Sequence, residues 1–333
     1  MADYSQYQGP SSEWEAFVQK TSLPLGDLTL PPQTIRQASN ALRVKISETE
    51  IAAEDLRTKA AWRDYSVLTR DQQNIIARVY RPRELPPEAP LPIYLYFHGG
   101  GHLLGTIETE DAACLRLAVN AQVTVVNVNY RHTPEFKHPY QVNDAWDAFE
   151  WLARNASLIG GDPSRVIVGG VSAGAGLAAS VIVRQHNNSN DDDSAVRDQG
   201  RNTSLLPRLN VCGQLLCIPW LIHPDNHPFT SGPAASFQQN VSAAVLPMAL
   251  LRLFSALLGA DDVKDPALNV ALVDDRKIMG LPKTTFVIAG QDLLRDEGLY
   301  YAEKLKKAGF VHLPTIATNP YLPPILSLVP SFF

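Results

Sequence analysis

Residues 165–179 read Arg-Val-Ile-Val-Gly-Gly-Val-Ser-Ala-Gly-Ala-Gly-Leu-Ala-Ala, and this stretch decides the fold. An apolar run at 165–168 leads into the pattern G-x-S-x-G at 170–174, and a helical segment at 177–184 follows. Strand, tight turn and helix in that order hold the central serine in a strained backbone conformation at the carboxyl edge of a sheet. Gly170 and Gly174 let strand and helix approach without Cβ clashes. Ser172 then stands as a nucleophile beside a helix start. A G-x-S-x-G match is common by chance, so its weight comes from what surrounds it.

Outward from the turn, strand and helix alternate. Strand 93–97 precedes helix 110–120, strand 123–129 precedes helix 142–153, and strand 166–169 precedes helix 175–185. Strand 214–218 follows, and strand 285–289 leads to helix 297–308. Such alternation predicts an α/β protein with a doubly wound, mainly parallel sheet. Residues 1–62 are helical in pattern, with a capping box (Ser12, Glu15) opening helix 14–20 and a second helix at 48–62. A hairpin is expected from 65–68 and 75–80. The expected division is an N-terminal helical cap segment, 1–62, and a core, 63–333, carrying a cap insertion at 221–260. Within that insertion, Leu250, Leu251, Leu253, Phe254, Leu257 and Leu258 form an apolar helical face expected to pack the cap on the core, with the lining of an acyl pocket as the alternative. Insertions of this kind sit above the carboxyl edge, where open sheets bind ligands. The polar run 187–204 reads as a solvated loop.

Composition excludes several classes. The 333 residues carry a net charge of −5 with no basic stripe, which argues against a nucleic-acid partner. Three cysteines, Cys114, Cys212 and Cys217, form neither a disulfide framework nor a zinc pattern. His223 and His227 have helical spacing, but Pro224 and Pro228 spoil a shared face, so no metal is expected. No segment reaches the roughly 18 apolar residues of a membrane span, and the N-terminus lacks a signal-peptide pattern. A cytoplasmic location without membrane attachment is expected, with oligomeric state left open. Gly174-Ala175-Gly176-Leu177-Ala178-Ala179 also satisfies a dinucleotide fingerprint, but the region where its acidic partner should end a second strand is polar loop.

Two further motifs flank the serine. His98-Gly99-Gly100-Gly101 follows strand 93–97 directly, leaving main-chain N–H groups uncovered by side chains. Acyl transfer needs such donors for the oxyanion of its tetrahedral intermediate, each worth about 3–4 kcal/mol. Downstream, Asp292 ends the strand 285–289 region, where it can orient a histidine. Asp296 and Glu297 lie in the first turn of the next helix and read as caps.

Together these motifs resemble the hormone-sensitive-lipase-like family of α/β-hydrolases, which comprises carboxylesterases and lipases. The matching pieces are His98 to Gly101, Tyr130-Arg131-x-x-Pro134-Glu135, Gly170-x-Ser172-Ala173-Gly174 and Asp292-x-Leu294-Arg295-Asp296-Glu297, in family order over about residues 60–310. The resemblance implies an α/β-hydrolase fold of about eight strands with a helical cap. It implies Ser172 as nucleophile, Gly100, Gly101 and Ala173 as backbone oxyanion donors, and Asp292 as triad acid. It also implies a short acyl or acetyl ester as substrate and no cofactor.

Two departures stand out. The family has an acidic residue before the nucleophile; here it is Val171. The family places its general-base histidine in a His-Gly-Phe stretch about thirty residues past the acid. Here His312 is the sole histidine after Asp292, and it falls where the last strand should begin. A structural role is expected for it, with the base as its weaker alternative; an altered or truncated C-terminal coding segment would account for the tail. His102, after the oxyanion glycines, is the best placed substitute, although that position normally lines the pocket. His98 should brace the glycine loop. The expected function is therefore a serine carboxylesterase acting through an acyl-enzyme. The alternative is an impaired or non-hydrolytic relative: a small-molecule binder, lyase or cyclase.

Overall fold

In strand 91–97 every residue is buried, so the chain must satisfy two apolar faces at once. It does so by alternation. Ile93, Leu95 and Phe97 enter one core, whereas Tyr94 and Tyr96 enter the other. Val166 and Val168 face the first core and Ile167 the second, in the same way. The period of two thus builds a sheet covered on both sides.

The computed structural model describes residues 4–10, 12–20, 26–86, 89–190, 208–309 and 312–317. The polar run beyond residue 190 and the tail after 317 lie outside the described residues. Eight strands form one sheet: β1 (Ala60–Leu68), β2 (Asn74–Pro82), β3 (Leu91–Phe97), β4 (Thr124–Asn129), β5 (Gly161–Val171), β6 (Val211–Cys217), β7 (Lys283–Ala289) and β8 (His312–Ala317). Their spatial order is β1-β2-β4-β3-β5-β6-β7-β8. The β1–β2 and β2–β4 pairs are antiparallel, and all others are parallel. This is the α/β-hydrolase fold.

The described helices are α1 (Ser12–Lys20), α2 (Pro32–Ala53), α3 (Leu56–Lys59), α4 (Asp111–Ala121), α5 (Tyr140–Asn155), α6 (Ala173–Asn190), α7 (Ser236–Gln239), α8 (Met248–Leu258) and α9 (Arg295–Lys307). Cys114, Leu115 and Ala118 of α4 pack in one core. Leu152 of α5, Ile182 of α6 and Leu305 of α9 pack in the other. None of the described helices is long and apolar enough to cross a membrane.

The helix expected at 48–62 ends earlier. α2 stops at Ala53, Asp55 turns into the left-handed region at φ 53°, and the chain enters β1 at Ala60. Ala60 pairs with Pro82 and Leu68 with Asn74, so the hairpin is longer than its apolar core suggested. Pairing with β2 overrides the helical pattern of residues 60–62, since cross-strand contacts are invisible to local propensity.

Register aligns the strand ends that matter. Phe97 pairs with Gly170, Val171 with Cys217, and Cys217 with Val287. The segments after β3, β5, β6 and β7 therefore leave the sheet side by side.

Candidate active site

Ser172 leaves β5 at φ 55°, a left-handed conformation that costs a non-glycine residue about 1–3 kcal/mol. Main-chain bonds hold it there. Its N–H donates to Cys217 O at 2.8 Å, and its carbonyl accepts from Ala175 N at 3.0 Å and Trp220 N at 3.1 Å. Gly174 lies so close to Phe97 O and His98 O that any side chain there would collide with backbone. His102 (φ 61°) and Ile218 (φ 39°) are also left-handed. Half of the six described non-glycine residues with positive φ thus gather at this edge.

The glycine loop lies against this turn. A Cβ on Gly99 would stand 2.9 Å from Val171 O and 3.3 Å from Ser172 Cβ. Gly100 (φ 125°) and Gly101 (φ 60°) carry the chain around, and Leu103 N and Leu104 N close the turn on Gly100 O at 3.1 and 2.8 Å. Among the described residues, the amides of Gly100 and Gly101 have no acceptor. Ala173 opens α6, where an N–H has no partner within the helix.

The surrounding motif residues brace this loop. His98 Nδ1 lies 2.9 Å from Gly99 O, and the ring, which burial holds toward its neutral form, stacks on Tyr130 at 4.5 Å. Tyr130 Oη donates to His98 O at 2.8 Å. Arg131 pairs with Asp144 and Asp71, both at 2.6 Å, and Glu135 pairs with Arg36 of α2 at 2.7 Å. Asn40 of α2 accepts from Gly105 N at 2.8 Å, tying that helix to the far end of the glycine loop.

Asp292 follows β7 and is 9% exposed. One carboxylate oxygen accepts from Leu294 N at 3.0 Å, and its carbonyl accepts from Asn240 Nδ2 at 2.9 Å. Burial pushes its carboxyl up to about 7. The folded state therefore binds a proton that the unfolded chain has already released above the ordinary carboxylate range. Stability contributed by this group falls as pH rises from about 4 to 7. Asp292→Asn is expected to melt with the wild type near pH 4 and above it past pH 7, by up to about 4 kcal/mol for three pH units. Thermal melts across that range check the sign.

Asp296 and Glu297 do more than cap a helix, contrary to the sequence expectation. Asp296 accepts from Ser236 N at 2.7 Å. Glu297 is wholly buried, which raises its carboxyl; it accepts from Leu221 N and, at 3.2 Å, from Ile222 N, and His227 Nε2 lies 3.1 Å away. Both thus hold the insertion onto the core, through partners about 60–76 residues distant that first-turn position cannot reveal. Arg295, which precedes them, is fully buried and donates to Gln8 at 3.0 Å, Gln239 at 2.8 Å and Ala234 O at 2.9 Å.

An apolar cluster roofs the edge: Leu103, Ala173, Trp220, Phe237, Leu251 and Phe254 are members. The Phe254 ring of α8 fills the room a side chain on Gly101 would need. Below the roof, His102, Ala173, Gly176, Trp220 and Leu258 line a space of only about 20 Å³. Trp220 was not singled out in the sequence; its place directly after β6 was the available signal.

His98, His102 and His132 gather around the Tyr130 ring. His102 is buried beside Trp220 at 5.6 Å, its Nδ1 has no partner among the described residues, and burial pushes it down to about 3, unsuited to taking a proton near neutrality. His138 Nε2 lies 2.7 Å from Asp265. His312 opens β8 opposite Thr284, the amino end of the β7 pairing, whereas Ala317 lies opposite Ala289. At about 3.3 Å per residue, its backbone stands roughly 17 Å from the carboxyl edge. Among the described residues, no side chain bonds the Ser172 hydroxyl, and none forms a cluster suited to a metal.

A family profile described as alpha/beta hydrolase fold matches residues 94–313. The chain belongs to the hormone-sensitive-lipase-like α/β-hydrolases. Within this family it is similar to esterase LipI of Mycobacterium tuberculosis, 33% identical over 70% of this chain and 65% of that one. It is also similar to an ethyl acetate hydrolase of Pseudomonas putida, 31% identical over 74% of this chain and 70% of the relative. The chain spans 65–66% of the length of the mycobacterial esterases LipI and NlhH. Among solved structures, the esterase of Pyrobaculum calidifontis superposes with a TM-score of 0.75 at 27% identity, covering 97% and 96% of the two chains.

Proposed function

We propose that this α/β-hydrolase is a serine carboxylesterase acting on small esters with short acyl groups. Ser172 attacks the ester carbonyl, the amides of Gly100, Gly101 and Ala173 receive the oxyanion, and Asp292 orients the group that takes the serine proton. The acyl-enzyme formed on Ser172 is then hydrolysed by water. One observation carries this reading: the left-handed Ser172 turn packs directly against a glycine loop whose amides are uncommitted. The hydrolysis of ethyl acetate by a relative agrees with a short acyl group.

The test is covalent labelling with a fluorophosphonate. An activated Ser172 hydroxyl is expected to become the labelled residue, located by peptide mass spectrometry. Absence of label on Ser172 would move the proposal to a non-hydrolytic binder, a reading favoured by the lack of a described partner for the hydroxyl.

A further inference from the structure

A cavity of about 320 Å³ opens beside Asp292. That volume lies within the range of about 300–1,000 Å³ that small-molecule sites occupy. Its walls are apolar at Ile218, Ala244, Val245 and Leu246, and among the described residues Asp292 is the one acid that lines it. Asp292 is only 9% exposed, and burial, with the neighbouring Glu297, pushes its carboxyl up to about 7. One carboxylate oxygen accepts from Leu294 N at 3.0 Å, and among the described residues no side chain donates to either oxygen. The guanidinium three residues on is committed elsewhere. Arg295 gives its protons to Asp296 at 2.8 Å, to Gln8 and Gln239, and to the carbonyls of Ala234 and Gly290. A buried acid beside a second carboxylate, with no cation of its own, is costly to ionise. A cation arriving from solution removes that cost.

The polar groups around the cavity narrow the choice of cation. A guanidinium is a flat fork suited to acceptors in one plane, whereas an ammonium is a compact charge with three donors on separate bearings. Gln8 and Gln239 turn their side-chain oxygens to Arg295, and the side-chain oxygen of Asn240 takes the Gln8 amide. The side chains of Gln291 and Ser242 also line the cavity and make no bond among the described residues. Their oxygens stand available beside the carboxylate, so three separate acceptors meet three N–H donors. We propose that this cavity binds a primary alkylammonium, its charged end on Asp292 and its chain along Ile218, Val245 and Leu246. The site goes beyond the esterase reading and stands without it, since the cavity and its uncompensated acid carry it whatever Ser172 does.

Saturation-transfer NMR titrations of the intact chain with n-hexylamine and 1-hexanol test this. Both ligands carry the same chain and one polar end, and near pH 8 only the amine is a cation. The amine is expected to saturate and to bind at least about tenfold more tightly than the alcohol, the scale of one charge-assisted hydrogen bond. Asp292→Asn should remove that preference. Ala244→Trp fills the cavity from an exposed wall position and should weaken both ligands strongly, which locates the site even if Asp292→Asn folds poorly. Because the amine binds the ionised carboxyl, its affinity should also fall about tenfold from pH 6 to pH 5, while that of the alcohol holds. An ordinary carboxylate keeps most of its charge over that range. Equal binding of amine and alcohol, a preference that survives Asp292→Asn, an amine affinity flat between pH 6 and pH 5, or undiminished binding to Ala244→Trp each overturns the proposal.

Discussion

Ser172→Ala is expected to bring p-nitrophenyl acetate hydrolysis down to the level that oxyanion donors and binding alone support. In a complete triad, loss of the serine costs about 10⁶-fold in kcat, and what remains is about 10³–10⁴ over water. The size of the drop here reports how well the hydroxyl is activated. A fall of at least about 10³-fold means that a base reaches it; equal rates for variant and wild type would overturn the esterase proposal. The substitution is a clean one structurally. Alanine inherits the same left-handed strain at φ 55°, and the bonds that hold the turn are main-chain bonds to Cys217, Ala175 and Trp220. The melting temperature should therefore change little, and a lost rate cannot be blamed on a lost fold.

Gly101→Ala is expected to have the second largest effect, on both rate and stability. At φ 60° an alanine costs about 1–2 kcal/mol, and its methyl would overlap the Phe254 ring. Either the loop moves or α8 does. If the loop moves, an oxyanion amide leaves its position, and losing one such donor costs about 10²–10³ in kcat. Pairing the change with Phe254→Ala separates the two causes. The double variant removes the overlap while keeping the backbone strain, so it should recover part of the lost kcat but not the melting temperature, since Phe254 is itself a buried core residue. Unchanged kcat in Gly101→Ala with a lowered melting temperature would show that α8, and not the loop, gives way.

The sequence made the central sheet and the edge motifs readable because both depend on short-range patterns. Continuous apolar runs announced β3 to β7, and glycines at 99–101, 170 and 174 announced close backbone approach. What could not be read was governed by distant partners. The extended conformation of residues 60–62 follows from pairing with β2, and the roles of Asp296 and Glu297 follow from amides in the insertion. Trp220 and Phe254 were plain apolar residues in the chain, and only tertiary packing sets them over the edge.

Arg295 gives the roof an unusual dependence. One guanidinium, three residues from Asp292, grips Gln8 from the chain's beginning and both Ala234 and Gln239 from the insertion. Two strips of polypeptide far apart in sequence thus hang from a single peg. Neither strip can swing aside without tugging the other, and the peg is planted at the first residue of α9, directly after the loop that carries the acid.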